Sequence, residues 1–242
     1  MGLFSDITSK YSGFESWFYD RTVAAGVLAS QAGLVDSLLT DVAIGGSVLD
    51  VGCGGGHLAL AIAERAEDVS VTGVDLSDEQ VQRATRRAAG ARDRVTFRVA
   101  AAAELPFDDN SFSTVVSVGS IKHWPDRARG MAELVRVLRP GGRLTVLEID
   151  RGCTFESAQR FVARMNAPVL ARKPLLWHFR TYVAGQGLEL DEARAIVRNL
   201  PLGEVSVSRI EHDPTLLIVG RKAHRAMSAA GRAPSADRRA VD

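Results

Sequence analysis

From residue 47 to residue 149, short apolar runs alternate with stretches whose apolar side chains recur at helical spacing. The runs predict strands at 47–51, 69–75, 95–100, 114–118 and 143–149, each with the length and apolar character of a buried strand. Between them, Ser77-Asp78-Glu79-Gln80 has the spacing of a helix-starting capping box, and Met131, Leu134, Val135 and Leu138 lie on one helical face. Arg139-Pro140-Gly141-Gly142 then halts that helix. The order through this region reads βαβαβαβαβ, the pattern of a parallel sheet wound by crossover helices.

Past residue 149 the rhythm changes. Ala158, Phe161, Val162 and Met165 predict a helix, and residues 173–183 are crowded with Leu175, Leu176, Trp177, His178, Phe179 and Tyr182. Ala193, Ile196, Val197 and Leu200 predict another helix. Two strands follow at 204–210 and 215–219, joined by a short Asp213-Pro214 turn that makes them adjacent and antiparallel. The expected fold is therefore α/β: a doubly wound, seven-stranded, mostly parallel sheet with an antiparallel last strand. We divide the chain into an N-terminal helical lid (1–40), a main domain (41–222) with a substrate-side insertion at about 152–186, and an Ala- and Arg-rich tail (223–242) expected to be disordered.

Composition narrows the function. The 30 basic and 29 acidic residues give a formal charge of +1, and no basic run is interleaved with aromatics, so a nucleic-acid partner is not expected. No stretch of about 18 apolar residues is present to span a bilayer, and the first residues lack the pattern of a signal peptide. Cys53 and Cys153 form no metal-binding pair, so neither a metal site nor a disulfide framework is expected, and a cytoplasmic location is.

The chemistry centres on Asp50-Val51-Gly52-Cys53-Gly54-Gly55-Gly56. Glycines let the backbone turn sharply from strand to helix and approach a flat ligand at the helix start. The run fits the looser dinucleotide form GxGxxA from Gly54 to Ala59, but His57 breaks GxGxxG from Gly52. Asp50 at the strand tip would repel a pyrophosphate and attract the cationic ammonium and sulfonium of S-adenosylmethionine. Asp75, at the end of the second strand, can accept from both ribose hydroxyls, as an acid does in dehydrogenases too.

Four blocks resemble the class I S-adenosylmethionine-dependent methyltransferases: the glycine turn, Val74-Asp75-Leu76-Ser77, the stretch from Leu105 to Phe112, and the stretch from Leu138 to Leu144. Within that superfamily the chain is similar to the ubiquinone/menaquinone-type and related small-molecule enzymes. The resemblance implies S-adenosyl-L-methionine as cofactor, S-adenosyl-L-homocysteine as product, and a cofactor site at Asp50, Gly52, Cys53, Gly54, Asp75, Leu76, Gln80, Ala101, Ala102, Glu104, Val118 and Gly119. Ala101 stands where the family pattern has an Asp that accepts from the adenine amine, so Glu104 or backbone groups are left to replace that contact.

On the acceptor side, the resemblance brings His123, after the fourth strand, near the methyl group as a candidate base. Tyr11, Phe18, Tyr19, Trp177, His178 and Tyr182 are candidates to line an apolar substrate pocket, together with His123. A small hydrophobic or aromatic acceptor is expected, and a homodimer is compatible with the apolar lid segments. Two alternatives stand beside a methyltransferase: a non-catalytic S-adenosylmethionine-binding protein, motivated by Ala101, and an NAD-dependent oxidoreductase.

Overall fold

The computed structural model describes residues 35–37, 46–91, 93–165 and 167–224. The expected tail beyond 224 and nearly all of the expected lid lie outside the described residues, as do Tyr11, Phe18 and Tyr19.

Seven strands form one sheet in the order β3-β2-β1-β4-β5-β7-β6. They are β1 (Ser47–Val51), β2 (Ser70–Asp75), β3 (Val95–Val99), β4 (Phe112–Val118), β5 (Leu138–Ile149), β6 (Leu202–Arg209) and β7 (Thr215–Lys222). The first five pair in parallel, and β7 lies antiparallel between β5 and β6. The switch point falls between β1 and β4, which pair directly although β2 and β3 intervene in sequence. Ligand crevices of open α/β sheets form outside the carboxyl ends of the strands at such a point.

Alternating side chains send each strand's apolar residues to opposite faces. Val48, Val71 and Val116 pack with Leu58, Ala59 and Ile62 of α1 (His57–Arg65). Leu49, Val74, Val115, Leu144 and Val146 instead join Leu134 of α3 (Arg127–Val137) and Val197 of α6 (Leu190–Arg198). A third cluster lies beyond β5, where α4 (Phe155–Arg164) packs Phe161 and Val162 against Phe179. The remaining helices are α2 (Asp78–Arg87), whose start is capped by the Ser77 hydroxyl as its sequence predicts, and α5 (Arg172–His178).

Two expectations are corrected. No helix joins β3 to β4: residues 100–111 run through turns, with Asn110 at φ 61°, because Pro106 and the Asp108-Asp109-Asn110 run carry turn chemistry rather than helical periodicity. The fifth strand begins five residues earlier than its apolar run, since Leu138 already pairs with Phe112 before a register shift admits the Pro140-Gly141-Gly142 kink.

Candidate active site

The carboxyl ends of β1 to β4 converge on a cavity of about 350 Å³, within the range of small-ligand pockets. Its floor starts at the glycine loop after β1. Gly52 has φ +77°, and a Cβ there would stand 2.3 Å from the Ser120 Cβ. Only glycine lets the loops after β1 and β4 meet this closely. The Gly52 N–H is meanwhile tied to the Val74 carbonyl at 2.8 Å.

Gly56, at φ +80°, precedes α1 and offers no side-chain cap. The Asp50 carboxylate supplies one from beneath, accepting the Ala59 backbone N–H, one of the donors that a helix start leaves unpaired. Asp50 is only 2% exposed, and its Oδ2 has no hydrogen-bond partner among the described residues. Burial, and then the nearby Asp75 charge, push its carboxyl up from 3.8 to about 7.

Asp75, the last residue of β2, does line the cavity. Its Oδ2 accepts from the Gly54 N–H and its Oδ1 from the Ser77 N–H, both at 2.9 Å. Burial raises its pKa while these two donors pull it down. A carboxylate has about four acceptor positions, so two N–H bonds leave room for two more donors.

The next wall is Ala100 to Ala103, held from outside by α3. Arg129 donates to the Ala103 carbonyl at 2.9 Å, Glu133 accepts the Leu105 N–H at 2.8 Å, and Arg136 donates to the Leu105 and Phe107 carbonyls at 3.0 and 2.8 Å. These charge-assisted bonds fix a loop that has no helix of its own.

The far wall follows β4, where Val118 and Gly119 lead into the turn Ile121–His123. Lys122 contacts the Gly119 carbonyl and lies 3.4 Å from the carboxylate of Glu148, which is 1% exposed in β5. Glu148 also accepts the Lys122 and Ile149 backbone N–H groups, at 3.2 and 2.8 Å, so the buried ion pair is well satisfied. Burial, and then the Lys122 charge, lower the His123 pKa from 6.5 to about 3. His123 therefore stands at the cavity as a neutral imidazole, a weak base at neutral pH.

Of the residues picked from sequence, Gly52, Gly54, Asp75, Leu76, Gln80 and Ala101 line this one cavity, and so do Ala102, Val118, Gly119 and His123. Asp50, Cys53 and Glu104 do not. Asp50 is occupied under α1, the Cys53 thiol is buried beside Gly54, and Glu104 points to solvent from a one-bridge turn with Ala101. Trp177, His178 and Tyr182 belong to the segment beyond β5: His178 and Tyr182 stack on each other at 5.3 Å, and none of the three lines the cavity. Sequence reasoning missed Ser120, Lys122, Trp124 and Arg129 as wall residues. Glu148, a carboxylate within the fully buried stretch 144–149 of β5, was the available signal for Lys122, because a charge so placed needs a partner.

Residues 48–142 match the family described as a methyltransferase domain. A stretch of 104 residues is 48% identical to 27-O-demethylrifamycin SV methyltransferase of Amycolatopsis mediterranei, covering 42% of this chain and 38% of that protein. Residues 48–142 form a methyltransferase domain of the class I S-adenosylmethionine-dependent kind. A ubiquinone/menaquinone biosynthesis C-methyltransferase of Geotalea daltonii is 39% identical over 130 residues, covering 52% of this chain and 55% of the relative. The chain thus spans about half the length of the curated relatives it matches.

Solved structures share the class I methyltransferase fold at low identity. A protein from Methanococcus maripaludis described as S-adenosyl-L-methionine-dependent superposes with a TM-score of 0.70 at 19% identity, over 93% of this chain and all of that one. Geranyl diphosphate C-methyltransferase of Streptomyces coelicolor, solved with S-adenosyl-L-homocysteine, gives 0.60 at 18% identity, over 81% of this chain and 79% of that one.

The cofactor of this methyltransferase family is S-adenosylmethionine, and the cavity's chemistry fits it. Asp75 keeps acceptor capacity at the wall, Gly54 has no atom within 4 Å of where a Cβ would stand, and the buried Asp50 carboxyl retains an unpartnered oxygen that a nearby cation would favour in its charged form.

Proposed function

We propose that the protein transfers a methyl group from S-adenosylmethionine to a small hydrophobic or aromatic acceptor. One observation carries this reading: a single cavity joins Asp75 and Gly54, suited to the nucleoside, to a wall where Val118, Trp124 and Pro125 offer apolar surface beside His123. The names of relatives acting on 27-O-demethylrifamycin SV and in ubiquinone/menaquinone biosynthesis support an apolar acceptor class.

When bound, the cofactor supplies an electrophilic methyl on a sulfonium leaving group. The chain's own work is to align the acceptor and exclude water. In this reading Asp75 receives the ribose hydroxyls, and the alanines at 100–103 give the adenine ring a close apolar seat. Neutral His123 hydrogen-bonds the acceptor and orients it.

Asp50 and His123 give a pH signature with opposite signs. Between pH 3.8 and about 7, Asp50 is protonated in the fold but ionised in the unfolded chain, so its contribution to stability falls as pH rises. Between about pH 3 and 6.5, His123 is neutral in the fold but protonated when unfolded, so its contribution is lost as pH falls. Urea titrations are expected to find Asp50→Asn stabilised against wild type by a few kcal/mol at about pH 8, with the gain vanishing near pH 4. His123→Asn should gain on wild type only as the medium becomes acidic.

Titration calorimetry with S-adenosylmethionine and with NAD, followed by transfer of labelled methyl to a panel of phenols, quinols and amines, tests the function. Binding of the sulfonium donor alone and turnover of an apolar acceptor are expected. NAD binding, or an empty site with both, contradicts the proposal. A non-catalytic S-adenosylmethionine-binding protein remains the second reading because Ala101 removes a carboxylate that the family pattern carries. The [4+2]-cyclase SpnF has a related fold, with a TM-score of 0.53, and fold alone does not fix the reaction. Binding without any turnover would favour that reading.

A further inference from the structure

Residues 157–188 contain no Asp or Glu but hold Arg160, Arg164, Arg172, Lys173 and Arg180. Two of these charges are spoken for: Arg160 pairs with Glu156 and Arg164 with Asp213. Lys173 and Arg180 make no ion pair among the described residues, and both are exposed. Arg180 rides 5.3 Å above the ring of Phe155.

The same segment exposes large apolar side chains. Leu170 is 94% exposed, Val169 73% and Trp177 71%, whereas Phe179 is buried against Phe161. The exposed positions Leu170, Lys173, Pro174, Trp177 and Arg180 recur at helical spacing along α5 and the turns that flank it, so they share one face. That face carries leucine, tryptophan and two cations, while the opposite face anchors the segment to α4.

We infer that this face docks the protein on an anionic lipid bilayer. Charge decides between occupants. A second copy of the chain would set Lys173 and Arg180 against the same cations if the faces met symmetrically, whereas phosphate headgroups complement them. Exposed Trp and Leu beside Lys and Arg are the composition of a helix lying in a membrane interface, its rings and aliphatic chains in the headgroup and acyl boundary and its cations on phosphate. The topology agrees with a role in delivery. The segment leaves the carboxyl end of β5, the same edge of the sheet on which the cavity opens. An acceptor dissolved in the bilayer would then be presented on the side where the cavity lies. The docking surface itself goes beyond the proposed reaction and does not depend on it.

The test is co-sedimentation of the full chain with vesicles of phosphatidylcholine alone or mixed with phosphatidylglycerol, with tryptophan emission recorded in parallel. Binding to the mixed vesicles is expected, with a blue shift that Trp177→Phe removes. Leu170→Glu/Trp177→Glu and Lys173→Glu/Arg180→Glu should each weaken binding about tenfold or more, and added salt should weaken it in the wild type. Circular dichroism of these surface variants checks that they fold. Absence of binding to mixed vesicles overturns the inference. So does equal binding to phosphatidylcholine alone, or binding that both folded double variants retain. Self-association abolished by Leu170→Glu/Trp177→Glu, without vesicle binding, would assign the face to a second copy instead. None of these readouts involves methyl transfer, so a failed vesicle assay leaves the proposed reaction standing and a failed turnover assay leaves the docking surface standing.

Discussion

Gly52→Ala is expected to abolish measurable S-adenosylmethionine binding and to lower the melting temperature by roughly 5–15 °C. Two costs add at this position. With φ at +77°, any side chain is strained by about 1–2 kcal/mol. The new methyl would also lie 2.3 Å from the Ser120 Cβ and 2.4 Å from its Oγ, and overpacking of this kind costs about 1–3 kcal/mol. The strain cannot be shed harmlessly. Ser120 Oγ bonds Ser117 Oγ at 2.8 Å and the Val51 carbonyl at 3.2 Å, and on the other side the Gly52 N–H is tied to Val74. The loop after β4 has to move, taking Gly119 and the His123 turn with it.

A second substitution separates the two costs. Ser120→Gly removes both clashing atoms and leaves the backbone strain, so Gly52→Ala/Ser120→Gly should recover part of the melting temperature and part of the binding. Thermal melts and calorimetry on the four proteins of this cycle measure the coupling. A Gly52→Ala single variant that binds S-adenosylmethionine normally would mean that the glycine loop does not contact the ligand.

The fold was readable where local pattern and tertiary environment coincide. The run Ser47-Val48-Leu49-Asp50-Val51 is a strand at the predicted bounds, and Ser77 caps α2, because burial on both faces and capping each leave a mark in the residues themselves. The link between β3 and β4 was not readable, since a parallel sheet raises the expectation of a helix that residues 100–111 do not form. Its order comes from Glu133 and Arg136, whose bonds span about thirty residues and have no local signature. What Asp50 faces was not readable for a related reason. A carboxylate at a strand tip can face a ligand or a helix start, and the deciding contact, the Ala59 N–H, depends on how α1 sits over β1. Trp177 was read as a pocket residue because apolar side chains are assumed to be covered, yet it faces outward. The wall from Val118 to Asp126 was only half read: His123 was noticed for its chemistry, while Lys122 beside it needed Glu148 to make sense.

Asp75→Ala is expected to weaken S-adenosylmethionine binding about a hundredfold while changing stability far less. The binding loss follows from charge: each hydrogen bond to an ionised group contributes about 1.5–3 kcal/mol, and in the proposed reading this carboxylate receives two ribose hydroxyls in addition to the Gly54 and Ser77 N–H groups. Stability gains from the other side of the same account. The carboxylate is half-buried, its pKa is raised by that burial, and it raises the Asp50 pKa as well. Removing it ends one desolvated charge and relieves another, which offsets much of the loss of the two backbone bonds. Asp75→Asn sharpens the test, since an amide oxygen still accepts from one backbone N–H but its nitrogen turns a donor toward the other. The order of affinity should therefore be wild type, then Asn, then Ala, with melting temperatures much closer together than affinities. Calorimetry with S-adenosylmethionine and S-adenosylhomocysteine alongside thermal melts measures both quantities. Affinities that stay level while melting temperatures collapse would make Asp75 a pure scaffold of the glycine loop and move the ribose elsewhere.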